Sequence, residues 1–217
     1  IDLPSVPVTA TAPNLKGGSL ASELVDLQPG ERILALTSLS PDTFGWALGT
    51  ASGVVKRVTP DLLTKDAWEI IRLDDGDSVV GAVELPHDLD ELVFVTSDAQ
   101  LLHFPASGVR PQGRTGGGIA GIKLSPGARV VFFGASATSD SVVVSVAGSS
   151  SALPGTESGT VKVTEFAEYP GKGRATGGVR CHRFLKGEDT LVLAWVGAAP
   201  AVAAAASGSP VELPFAD

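Results

Sequence analysis

The chain has 217 residues, 43% of them hydrophobic, and a formal net charge of −8. That length suits one sizeable core, and charges, Gly or Pro interrupt every apolar run before it reaches membrane-spanning length. The single cysteine, Cys181, excludes an internal disulfide and a cysteine-rich zinc site, and 26 Gly with 15 Pro break up any long helix.

In chain order, Ile1 to Pro4 (IDLP) matches the end of a segment that recurs later, and Lys16-Gly17-Gly18 is a reduced form of a glycine loop met twice further on. Leu27 to Leu36 (LQPGERILAL) brings the first repeat marker, a large apolar residue three places before a glycine with an apolar run behind it. It returns as Leu73 to Val83 (LDDGDSVVGAV), Leu124 to Phe133 (LSPGARVVFF) and Phe184 to Trp195 (FLKGEDTLVLAW). The anchoring glycines Gly30, Gly76, Gly127 and Gly187 stand 46, 51 and 60 apart. A second marker falls between them, at Ala51 to Pro60, Ser97 to Ala106, Glu157 to Phe166 and Ala206 to Pro214. Periods of this size belong to propellers and solenoids, whose repeats cannot bury their apolar faces alone.

The repeats read as strands. Leu92 to Thr96, Val130 to Phe133, Ser141 to Ser145 and Leu191 to Trp195 are short and rich in β-branched or aromatic residues, and Gly, Pro, Ser and Asp clusters punctuate them. Ala198 to Ala206 has helical local propensity, but its place in the repeat matches Leu92 to Thr96, so a strand is expected there. The pattern predicts one all-β domain over residues 1–217, a propeller-like ring of about four four-stranded blades. Because the chain starts and stops in mid-unit, Ile1 to Val8 is expected beside Pro210 to Phe215, closing the ring and removing sheet edges. With no methionine in the chain, residue 1 is expected to be an internal position of a longer protein.

The acidic total argues against a nucleic-acid partner, but the distribution of charge does not. From Ala99 to Ser139 there is no Asp or Glu, while Arg110, Arg114, Lys123 and Arg129 are present. From Tyr169 to Gly187 acids are again missing, and Lys172, Arg174, Arg180, Arg183 and Lys186 occur. A basic arc on an acidic body can track phosphates, since affinity follows local cation placement and counterion release. Both stretches carry one pattern, Gly-Arg, one or two small residues, Gly-Gly, then an apolar residue entering a strand. Residues 111–124 align on it with residues 170–183. Glycines allow close approach of a ligand to the backbone, and Arg offers a planar donor fork to phosphate oxygens.

Other chemistry is thinly supported. Residues 116–121 match G-x-G-x-x-G without a βαβ setting, and His87, His103 and His182 lack metal-ligand spacing. Asp74-Asp75-Gly76-Asp77 reads as a hairpin turn rather than a calcium loop. Trp46, Trp68 and Trp195 read as packing residues rather than base-stacking ones.

The repeat order, with GRTGGGIAGIKL (Gly113 to Leu124) and GKGRATGGVR (Gly171 to Arg180) as its most specific parts, resembles the C-terminal β-pinwheel of bacterial type IIA topoisomerase A subunits. That group comprises gyrase A subunits together with their topoisomerase IV counterparts, and the resemblance covers essentially the whole chain. It implies a non-catalytic domain whose basic rim bends or wraps double-stranded DNA and presents it to the cleavage gate. The rim candidates it carries over are Lys16, Lys56, Arg57, Arg110, Arg114, Lys123, Lys172, Arg174, Arg180 and Arg183. No cofactor or metal is implied here, because magnesium and ATP serve other parts of the enzyme. The implied partners are the rest of the A subunit together with the ATPase B subunit, in the nucleoid-associated cytoplasm, with no membrane. The gyrase-specific box, QRRGGKG, has no counterpart in the chain. Decatenation and relaxation are therefore expected rather than supercoiling. The resemblance implies five or six units against about four here, so a leading blade is expected upstream. The competing reading is a propeller that scaffolds protein partners through its acidic face.

Overall fold

The computed structural model describes residues 20–38, 40, 42–59, 65, 67–85, 87, 90–153, 159–205, 207 and 209–214. Among them there is no α-helix, only short strands and single 3-10 turns. Two compact units are distinguished. The larger takes in Leu34–Ala201 and the smaller gathers the described residues up to Ile33 with Val202–Leu213.

The larger unit contains three antiparallel sheets. In chain order its strands are β1 (Trp46–Thr50), β2 (Val54–Val58), β3 (Val79–Glu84), β4 (Glu91–Thr96), β5 (Gln100–Pro105), β6 (Ile119–Ala120), β7 (Val130–Ser136), β8 (Ser141–Gly148), β9 (Val161–Glu165), β10 (Val179–Arg180) and β11 (Thr190–Ala198). The first sheet runs β3-β1-β2-β6, the second β10-β5-β4-β7 and the third β11-β8-β9. The strands expected at Leu92 to Thr96, Val130 to Phe133, Ser141 to Ser145 and Leu191 to Trp195 formed, and their apolar runs are continuous because their sheets are covered on both faces. In β4, Leu92 and Phe94 enter one core with Ala47, Val55 and Phe133. The alternating Val93 and Val95 enter a second core with Val143, Leu191 and Val196. One strand thus serves two cores, each buried side chain contributing about 1.5–3 kcal/mol.

The fourth strand of a sheet is borrowed. β6 follows β4 and β5 in sequence yet pairs with β2, Val54 opposite Ala120 and Val55 opposite Ile119. In the same way β10 pairs with β5, Val179 opposite Leu101 and Arg180 opposite Gln100. Backbone bonds repeat between sheets as well. Val130 N donates to Ala51 O at 3.0 Å, and Leu191 N donates to Ser97 O at 2.8 Å. The turns also recur, since Asp77 accepts from Ser52 N and Oγ while Asp189 accepts from Ser150 N and Oγ.

In the smaller unit, β12 (Ala203–Ala204) pairs with β13 (Pro210–Val211), and a 3-10 turn spans Ala21–Glu23. Of the Ala-rich stretch expected as a strand, Ala198 ends β11 and Ala203–Ala204 form β12, but the chain bends at Ala199 and Pro200, so the expected strand is broken there. The described strands make sheets of four, four, three and two. Even blades of four are not seen among them. The expected partner of Pro210 to Phe215, Ile1 to Val8, lies outside the described residues.

All four anchoring glycines have positive φ, at 87°, 79°, 78° and 93° for Gly30, Gly76, Gly127 and Gly187, with open space where a Cβ would sit. Gly118, at φ 87°, also lies against β2, where a Cβ would stand 2.7 Å from Val55 O. Gly127→Ala should cost about 1–2 kcal/mol, the left-handed conformation alone. Gly118→Ala should cost visibly more, about 2–4 kcal/mol, because backbone must also move. Urea titration of both variants checks this, and equal losses would contradict the close approach.

Candidate nucleic-acid interface

Both Gly-Arg loops are built from the same parts. A 3-10 turn, Ala106–Gly108 or Phe166–Glu168, ends at a buried residue, Val109 or Tyr169. The chain then docks on the second strand of the preceding repeat. Gln112 N donates to Arg57 O at 2.8 Å, and Lys172 N donates to His103 O at 3.1 Å. Six residues later each loop closes on a glycine with positive φ, Gly118 or Gly178, and enters β6 or β10. Gln112 Oε1 accepts from Gly118 N at 3.0 Å, while Lys172 Nζ donates to Gly178 O at 2.8 Å.

The structural register is gapless. Gln112 corresponds to Lys172, Arg114 to Arg174, Gly118 to Gly178 and Lys123 to Arg183. The sequence alignment set Pro111 opposite Pro170 and allowed one or two small residues after the arginine. Equal loop length moves Pro111 opposite Gly171 instead. The two loops are also in contact. Arg174 Nη1 donates to Ala120 O and Ala175 N to Gly121 O, both at 2.6 Å, and Lys123 N donates to Thr176 O at 2.9 Å.

The basic candidates divide by burial. Arg110, Lys123, Lys172, Arg174, Arg180 and Arg183 are exposed, and Arg114 is half-buried. Arg174 commits one contact of a five-donor group to Ala120. Lys56 and Arg57 are buried. Lys56 Nζ donates to Ile70 O, Arg114 O and Gly116 O at 2.6, 2.8 and 2.7 Å. Burial lowers its pKa, and nearby Glu69 partly opposes that shift. Arg57 donates through Nη1 to Ala106 O and through Nη2 to Phe44 O. Both are buried on β2 with their donors turned to carbonyls, so neither presents its charge to solvent as the sequence reading expected. Lys16 lies outside the described residues.

Two further residues sit beside the cations, Gln112, which the sequence does not mark out, and His103, which it offers only within the acid-free stretch and as an unsupported metal ligand. Gln112 ties its loop to Gly118. His103 stands where Arg57 stands one repeat earlier, with Nδ1 2.8 Å from Glu91 Oε2 and Nε2 2.9 Å from Tyr169 O. A polar residue on an otherwise apolar second strand was the available signal for His103. Beside Arg183, His182 contacts Ser145 Oγ and Thr160 Oγ1 at 2.8 and 3.1 Å. Burial lowers its pKa, so it adds no charge at neutral pH. Among the described residues no group of three His, Cys, Asp or Glu side chains is arranged to hold a metal ion.

The family described as "DNA gyrase C-terminal domain, beta-propeller" matches residues 90–136 and 155–193, the stretches that hold β4 to β7, then β9, β10 and the start of β11. The DNA gyrase A protein of Escherichia coli K12 is 32% identical over 175 residues, 77% of this chain and 19% of that protein. The chain belongs to the C-terminal domain family of type IIA topoisomerase A subunits. The topoisomerase subunit TopoM of Mycolicibacterium smegmatis is 34% identical over 154 residues, 69% of this chain and 20% of that protein. The chain therefore spans about a fifth of the length of these curated relatives.

Solved family structures share the fold. The C-terminal domain of DNA topoisomerase IV superposes with a TM-score of 0.70 at 22% identity, over 82% of this chain and 55% of that one. The DNA gyrase A C-terminal domain gives 0.62 at 20% identity, over 90% and 70%. Against that fold the strand borrowing and stacked sheets identify a β-pinwheel.

Cys181 sits between the exposed Arg180 and Arg183 but is 1% exposed, its Sγ 3.4 Å from Ala99 O. Burial pushes the thiol up to about 12, above its ordinary 9.0, so the neutral form dominates at pH 8. A colorimetric thiol reagent should react slowly with the folded chain at pH 8 and fast in denaturant. Prompt stoichiometric reaction of the folded chain would contradict this packing.

Proposed function

We propose that the chain is the DNA-binding part of a type II topoisomerase A subunit, bending or wrapping duplex DNA along the cations of its two Gly-Arg loops. The observation that carries the reading is the gapless equivalence of those loops. Cations recur at matching places on consecutive repeats, Arg114 with Arg174 and Lys123 with Arg183, inside stretches without any acid. Arg110, Lys172 and Arg180 extend the set. Phosphate contacts carry no base information, so binding is sequence-tolerant. Lys16 remains a proposed contact in the first repeat.

In this reading the domain performs no chemistry. It presents duplex DNA to the cleavage gate, while magnesium and ATP serve the rest of the A subunit together with the ATPase B subunit in the cytoplasm. The absence of a QRRGGKG run favours decatenation and relaxation over supercoiling. All 217 residues are proposed to form one domain of a longer protein.

Two measurements follow. Anisotropy titrations with random-sequence duplexes should give affinity of roughly micromolar order at physiological salt, typical of non-specific binding. Arg114→Ala with Arg174→Ala should flatten the salt slope by about two, one for each phosphate contact. An unchanged slope would move the DNA path elsewhere, and no binding at low salt would favour the protein scaffold. Separately, the purified chain should neither cleave nor relax plasmid DNA with magnesium, ATP and the ATPase partner, and detectable relaxation would refute the non-catalytic role.

A further inference from the structure

We infer that Lys56 is a positioning residue for DNA binding, fixing the loop that carries Arg114 from beneath. The inference rests on the reading above that Arg114 meets a phosphate. Lys56 has no exposed surface, and its ammonium donates to three backbone carbonyls. An ammonium taken out of water is costly unless its donors are satisfied, and here each of the three finds an acceptor. Two of those acceptors, Arg114 O and Gly116 O, bracket Thr115. Because peptide units are planar, holding both carbonyls sets the peptide planes that follow Arg114 and Gly116, and with them the course of the backbone leaving Arg114. The third acceptor, Ile70 O, belongs to the preceding repeat, so the ammonium ties the loop to a neighbouring segment.

The next repeat shows why a cation is placed there. Forty-six residues on from Lys56 stands Leu102, which is apolar and buried in a core. The loop near it needs no ammonium from below, because its own Lys172 donates to Gly178 O and its own Arg174 to Ala120 O. In the first loop Gln112 replaces Lys172, and its amide oxygen serves Gly118 N. That arrangement leaves Arg114 O to Lys56, which shares Gly116 O with the backbone N–H of Arg72 at 3.3 Å. Two loops of equal length are thus fastened by different cations, one within the loop and one on the sheet.

The test compares Lys56→Met, Arg114→Ala and their combination in the full chain, by anisotropy with a random-sequence duplex across salt. Arg114→Ala should flatten the salt slope by about one. Lys56→Met should flatten it by the same amount although Lys56 touches no phosphate, and the double variant should lose nothing further. Trypsin cleavage after Arg114 should be faster in folded Lys56→Met. A wild-type slope in Lys56→Met alongside a flattened slope in Arg114→Ala would overturn the positioning role. A loss of two in the double variant would overturn it as well, making Lys56 a direct contact. If Arg114→Ala alone binds as wild type, the phosphate role of Arg114 is what fails, and the inference falls with it. Lys56→Gln, which keeps two amide donors, should show a partial loss and decides the matter if the Met variant does not fold.

Discussion

Each short strand that follows a Gly-Arg loop adds to the sheet of the preceding repeat, and the rest of the larger unit depends on that exchange. For β6 to reach β2, the chain must leave its own sheet after β5, cross at the loop and return after the Gly127 turn to supply β7. The crossing explains why Gly118 and Gly178 face the backbone of β2 and β5 so closely that a Cβ would collide. It also explains why no repeat is finished by its own residues, since a sheet lacks its last strand until the next repeat arrives. A covering sheet on both faces of β4 follows from the same stacking, and with it two cores fed by alternate residues of one strand.

The exchange also sorts the basic residues. Cations on a second strand, such as Lys56 and Arg57, are covered by the loop of the next repeat and spend their donors on carbonyls. Cations on the loop and just after the borrowed strand stay outside, as Arg110, Lys123, Lys172, Arg174, Arg180 and Arg183 do. The inner group is structural in what it touches, and the outer group is what a polyanion would meet. A net charge of −8 is no obstacle, because screening confines each contact to its own neighbourhood, about a Debye length of 8 Å at physiological salt.

Much of this was legible in the sequence. The turns at Gly30, Gly76, Gly127 and Gly187, each three residues after a Leu or Phe, announced themselves because only glycine takes that φ without strain. The apolar runs of β4, β7, β8 and β11 were readable because β-branched and aromatic residues cluster there. Strand exchange was not legible, since Ile119–Ala120 and Val179–Arg180 are two-residue strands whose partners lie one repeat back. Nor could a sequence pattern tell Lys56 from Lys123. Both are lysines at a strand or beside one, and only the loop lying over β2 makes one of them internal. The correct loop alignment likewise waited on Gln112 and Lys172, unlike residues that hold one position.

Hydrogen exchange of the chain with and without a random-sequence duplex tests the central claim most directly, since it maps the DNA path without altering any residue. The account predicts slowed exchange on binding across residues 110–123 and 172–183 together, with the acidic turn at residues 74–77 unchanged. Protection confined to one loop, or centred on the acidic turns, would contradict a path shared by the two Gly-Arg loops.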